Sequence, residues 1–116
     1  MQYLCLIYSV EGTGPQPGTE AFGEYMQAYQ IFTQECVEGG VMNGGNALQP
    51  TATSTTVTRE SGKVEITDGP YAETKEQLGG YYLLDCKDLD EALDYAAKIP
   101  TAAHGRIEVR PVKVFD

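Results

Sequence analysis

A chain of 116 residues, 41% hydrophobic and 22% charged, has the length of one domain with one core, and no apolar run approaches the roughly 20 residues that cross a bilayer. Seventeen acidic against eight basic residues leave a net charge of −9, which repels phosphate backbones and anionic lipid, so nucleic acid and membrane are not expected partners. Cys5, Cys36 and Cys86 stand apart among apolar neighbours and read as reduced thiols of a cytoplasmic protein; with one His and no paired cysteines, neither a metal site nor a cofactor is expected.

Residues 1 to 8 lack a basic leader and a small-residue cleavage site, so a strand is expected there and not a signal peptide. Leu4, Leu6 and Tyr8 fall on one of its faces and Tyr3, Cys5 and Ile7 on the other, and both faces are apolar. After the breaker-rich loop Gly12 to Gly18, Thr19 is placed to cap a helix over 20–38. Its stripe is Phe22, Met26, Tyr29, Phe32 or Thr33, and Cys36, and Gly39-Gly40 ends it. A short strand begins at Val41-Met42-Asn43, is interrupted at Gly44-Gly45, and is closed by Gln49-Pro50.

Thr51 to Glu60, the turn Ser61-Gly62 and Lys63 to Thr67 predict a hairpin. Leu78 to Cys86 predicts another strand that is apolar on both faces. Asp88-Leu89-Asp90-Glu91 predicts a capping box in which Glu91 reaches back to the cap's own amide. The helix it opens would bury Leu89, Ala92, Leu93, Ala96 and Ile99 before Pro100. The last strand is expected from Arg106 to Phe115, with a bulge or sheet edge at Pro111.

The order β-α-β, hairpin, β-α-β is the α+β plan of a ferredoxin-like split βαβ sheet with an added hairpin. In that plan the first strand and the one after the hairpin are central, and both helices cover one face. The other face needs a lid. A homodimer with stacked sheets, a dimeric α/β barrel, would supply it and leave a ligand cavity between the sheets.

The densest group of candidate chemistry is the corner Asp68-Gly69-Pro70-Tyr71 with Glu73, Thr74, Lys75 and Glu76 after it. A rigid turn of this kind would present Asp68, Glu73 and Lys75 at a pocket mouth, although Asp68 also suits a purely structural turn. His104 is the one side chain whose ordinary pKa lies near neutrality, and it sits in the loop before the last strand. Arg110 would either pair with an internal carboxylate or clamp an anionic ligand. The tyrosines read as core residues without a catalytic role.

The run from Asp68 through Tyr82, followed by Asp88 to Pro100 and by Gly105-Arg106-Ile107-Glu108-Val109-Arg110-Pro111, resembles the DGPF-domain branch of the YCII-related proteins over nearly the whole chain. The resemblance implies a single domain over 1–116 with the ferredoxin-like, dimeric barrel architecture. Tyr71 stands where the name-giving Phe would be. The wider family is linked to a His and Asp pair with the His near the first helix. That helix holds no His here, so Asp68 and His104 are the pair that the resemblance leaves.

Two functions follow as expectations. In the first, a homodimer binds a small organic molecule between its sheets and uses Asp68 and His104 for cofactor-independent acid–base chemistry, with Glu73, Lys75 and Arg110 as ligand contacts. In the second, the chain is a non-catalytic ligand-sensing or dimerisation module that acts through a protein partner, with transcriptional regulation as its setting. A haem or metal enzyme would rest on His104 alone, and the Gly12-Thr13-Gly14 loop lacks the helix start of a dinucleotide fingerprint.

Overall fold

The computed structural model describes residues 1–115. The chain runs β1 (Gln2–Ser9), α1 (Glu20–Glu38), β2 (Met42–Ala47), β3 (Thr55–Glu60), β4 (Lys63–Asp68), β5 (Gln77–Asp85), α2 (Leu89–Ala96) and β6 (Arg106–Pro111). Short 3-10 turns at Thr51–Thr53 and Pro100–Ala103 lead into β3 and β6. Four strands form an antiparallel sheet in the order β2-β5-β1-β6, while β3 and β4 pair with each other. The two strands apolar on both faces, β1 and β5, are the central ones.

Strand alternation sorts the sheet into two faces. Tyr3, Cys5 and Ile7 of β1 and Leu84 of β5 are buried with Phe32 and Cys36 of α1 and Ala92 and Ala96 of α2, so both helices cover that face. Leu4, Leu6 and Tyr8 of β1 and Tyr81 and Leu83 of β5 point the other way, where no helix lies, and stay half-buried. Helix α1 begins where Thr19 Oγ1 accepts the Phe22 amide at 3.2 Å, and it spans the predicted 20–38. Among the described residues no helix is long and apolar enough to cross a membrane.

Four local expectations change. Strand β2 runs through Gly44 and Gly45, absorbing them in a register shift against β5 between Met42 and Gly44. In the α2 cap, Asp88 Oδ1 accepts the Glu91 amide at 2.9 Å, but Glu91 takes the Lys87 amide at 3.0 Å, one residue before the cap. That helix turns its small side chains, Ala92 and Ala96, to the sheet and leaves Leu89 and Leu93 each 45% exposed, because alanines let it lie closer. Strand β6 stops at Pro111, which has no amide to extend the ladder; one further bond joins the Val112 amide to the Gln2 carbonyl oxygen at 2.9 Å.

Cys5, Cys36 and Cys86 are free and buried in this one core. Burial pushes the Cys5 thiol from 9.0 up to about 11, with Cys86 nearby adding to the rise. Burial also raises Cys36 to about 11, and Cys86 moves in the same direction for the same reason. Below the unfolded thiol value of 9.0 both states hold the proton, and between there and about 11 the unfolded chain alone gives it up. Stability is therefore expected to be whole below about pH 9 and to fall as pH rises toward 11, read as a declining urea midpoint. An aromatic disulfide reagent should titrate these thiols only in denaturant; rapid labelling of the native protein would contradict the buried assignment.

Candidate functional site

The helix-covered face is not packed to its edge. Between α1 and the β2–β5 side of the sheet lies a cavity of about 470 Å³. Glycine makes its floor. A Cβ on Gly45 would stand 2.9 Å from both the Tyr81 carbonyl oxygen and Cδ1 of Tyr82, and one on Gly80 would stand 2.9 Å from the Asn46 carbonyl oxygen. Side chains are thus excluded where the two strands run beneath the helix, and the space above them stays open.

Phenols and hydroxyls make the walls. Tyr25, Tyr29 and Thr33 recur at four-residue spacing on one stripe of α1. The Tyr25 and Tyr29 hydroxyls both meet Thr101 Oγ1, the latter at 2.5 Å, and Thr101 is itself 3% exposed. The Tyr25 and Tyr29 rings meet edge to face at 5.3 Å. Tyr82 lies parallel to Tyr29 with centroids 6.4 Å apart, and its hydroxyl pairs with Thr33 Oγ1 at 3.0 Å. On the opposite, open face of the same strands, Asn46 Nδ2 donates to the Tyr81 hydroxyl at 2.9 Å.

Burial pushes the Tyr29 phenol up, against an opposing hydrogen bond from Thr101. Burial raises Tyr82 as well, with the bond to Thr33 pulling the other way. Both phenols therefore keep their protons near neutrality and serve as hydrogen-bond donors. The residues lining the cavity include no charged side chain.

The residues singled out from the sequence lie elsewhere. Asp68 ends β4 and is exposed, as are Glu73 and Lys75. Arg110 is exposed on β6 and pairs with Glu108, two residues away on the same strand face. His104 is nearest to the cavity: its ring lies 5.8 Å from that of Tyr25, against Gly14. Among the described residues no hydrogen bond joins Asp68 to His104. The cavity tyrosines and Thr101 were missed because each suits a core position. Two strands that each carry a pair of glycines, with a helix bearing tyrosines four apart, were the available signal.

The whole chain, residues 1–116, matches the YCII-related domain. The chain belongs to the YCII-related family. This YCII-related protein is 37% identical over 117 residues to an uncharacterized protein of Rhizobium meliloti (strain 1021), covering 99% of this chain and 94% of that one. Its fold is similar to that of 5-chloro-2-hydroxyhydroquinone dehydrochlorinase (TftG) from Burkholderia phenoliruptrix AC1100, solved in complex with 2,5-dihydroxybenzoquinone. The likeness has a TM-score of 0.52 over 97% of this chain and 94% of that one, at 14% identity.

Proposed function

We propose that this YCII-related protein binds a small, planar, oxygen-bearing and uncharged organic molecule in the tyrosine-walled cavity under α1. The lining carries the proposal. Aromatic faces, protonated phenols and threonine hydroxyls can stack and hydrogen-bond such a ring, and no cation is present to offset the desolvation of an anion. A protein similar in fold, TftG, was solved with a small planar oxygen-bearing ring, 2,5-dihydroxybenzoquinone.

The protein belongs, in this proposal, to the DGPF branch. Its sheet is a ferredoxin-like split βαβ arrangement, and two copies stack their open faces into an α/β barrel. The space between the stacked sheets, beside Arg110, is the rival location for the ligand. Amide chemical shifts during titration with hydroquinone and 4-hydroxyacetophenone decide between them, with benzoate as the charged control. Saturable shifts are expected at Gly45, Gly80 and Thr101, with dissociation constants of about 1 mM or tighter, equivalent to about −4 kcal/mol. Shifts at Leu6, Leu83 and Arg110 instead would move the ligand between the sheets, and equal binding of benzoate would sink the uncharged class.

Acid–base turnover by Asp68 and His104 is the second reading, with Glu73 and Lys75 as further ligand contacts. The packing of His104 on Tyr25 beside the cavity favours it. If a consumed ligand is found, H104A should abolish consumption while leaving the binding shifts in place. Without turnover the protein is a ligand-sensing module that acts through a protein partner.

A further inference from the structure

The β3–β4 hairpin has no packed role within its own chain. Every residue of β4 is exposed, and so is every residue of β3 except Thr56. Its two faces nevertheless differ. Val57 pairs directly with Ile66, and Val64, opposite Arg59, shares their side. The other side carries Thr56, Thr58, Glu65 and Thr67. The three aliphatic residues are 63%, 69% and 50% exposed, and a lone two-stranded hairpin with a bare apolar face is marginal in water.

We infer that this hairpin is an arm that grips a second copy of the chain, with the Asp68-Gly69-Pro70 corner as its shoulder. The inference rests on the homodimer put forward above. Surface area argues for a second copy. A compact chain of 12.6 kDa exposes about 6,200 Å², whereas this one exposes 8165 Å². The excess, roughly 2,000 Å², matches what each partner contributes to a permanent dimer interface. A compact chain of this length has a radius of gyration of about 13 Å, against 16.3 Å here.

A twofold pair also fits the inventory of bare surfaces, since each copy offers one apolar arm and one apolar sheet face of Leu4, Leu6, Tyr81 and Leu83. Arg59, on the apolar side of the arm, has no ion-pair partner among the described residues, and a second chain of charge −9 supplies carboxylates.

The shoulder is braced. The Gly69 amide donates to the Ser54 carbonyl oxygen at 2.8 Å, and Thr56 Oγ1 donates to the Gly69 carbonyl oxygen, also at 2.8 Å. Gly69 takes φ of +98°, which a side chain would strain, and Pro70 fixes the next φ. At the foot of the arm, the Thr51 amide and hydroxyl bond the Glu11 carboxylate at 2.9 and 3.1 Å. The corner that drew attention as candidate chemistry therefore aims the arm.

The test is the solution mass of wild type and of V57D/I66D across the micromolar range, with V57T/I66T as a milder variant that keeps strand propensity. Wild type is expected at twice 12.6 kDa. The dimer should dissociate about 100-fold more readily in V57D/I66D and about 10-fold more readily in V57T/I66T, with the circular dichroism of the folded monomer retained. A dimer as tight in both variants as in wild type overturns the arm and leaves the homodimer standing, whereas a monomeric wild type overturns both. Cross-linking gives an independent measurement. Because the native thiols are buried, I66C carrying a photo-reactive maleimide is labelled at the arm alone. Illumination should join two chains, and a dimer that yields no joined chains overturns the inference.

Discussion

T101V is expected to lower the unfolding free energy by about 2–3 kcal/mol and to weaken any ligand under α1 by about tenfold. Thr101 is 3% exposed, and its hydroxyl serves two phenols, those of Tyr25 and Tyr29. Valine keeps the shape and removes the oxygen, leaving two partly buried hydroxyls with one partner fewer, each at a cost of about 1–3 kcal/mol. The two phenols can partly bond each other, which holds the total below the sum. T101S retains the oxygen and should lose less than about 1 kcal/mol, for one methyl group. Urea unfolding of the two variants measures the difference. Equal stability of T101V and wild type would mean that the tyrosines are satisfied without Thr101.

A larger loss of stability is expected from L84A, about 3–4 kcal/mol, with the melting temperature down by roughly 15 °C. Leu84 has no exposed surface and lies on a central strand, opposite Tyr3 on one side and Met42 on the other. Rigid ladders on both edges leave the site little freedom to collapse around a cavity, which places the cost in the upper part of the usual range. L83A, its neighbour on the open face, provides the contrast: the same deletion from a half-buried position should cost a single chain under about 1.5 kcal/mol. Similar melting temperatures for the two variants, compared at a concentration where both are monomeric, would contradict the assignment of faces.

Much of the architecture was written in local patterns. Two runs apolar on both sides marked β1 and β5 as central, Thr19 and Gly39 bounded α1, and Ser61-Gly62 marked the hairpin turn. Ser61 adopts φ of +50° and Gly62 +79°, as a tight two-residue turn requires. What periodicity could not tell was how closely each helix would approach. The leucines of α2 were expected inside, yet its alanines face the sheet, because close packing favours the smaller side chain where a helix lies low. The site was hidden for a related reason. Its walls are residues ordinary in a core, and its defining property is missing volume over Gly45 and Gly80, which has no letter in a sequence.

The central position of β1 also dictates an order of assembly. Its two neighbours in the sheet are β5 and β6, so the strand finds partners only in residues 77–85 and 106–111. As the chain leaves the ribosome, β1 waits with both edges unpaired while α1 and the β3–β4 hairpin, built from local contacts, form behind it. Closing the sheet then joins segments far apart in the chain, a slow step that leaves an apolar strand exposed until β5 and β6 have been made. A fold whose central strand precedes both of its partners in the chain places its heaviest demand for chaperone protection on that strand.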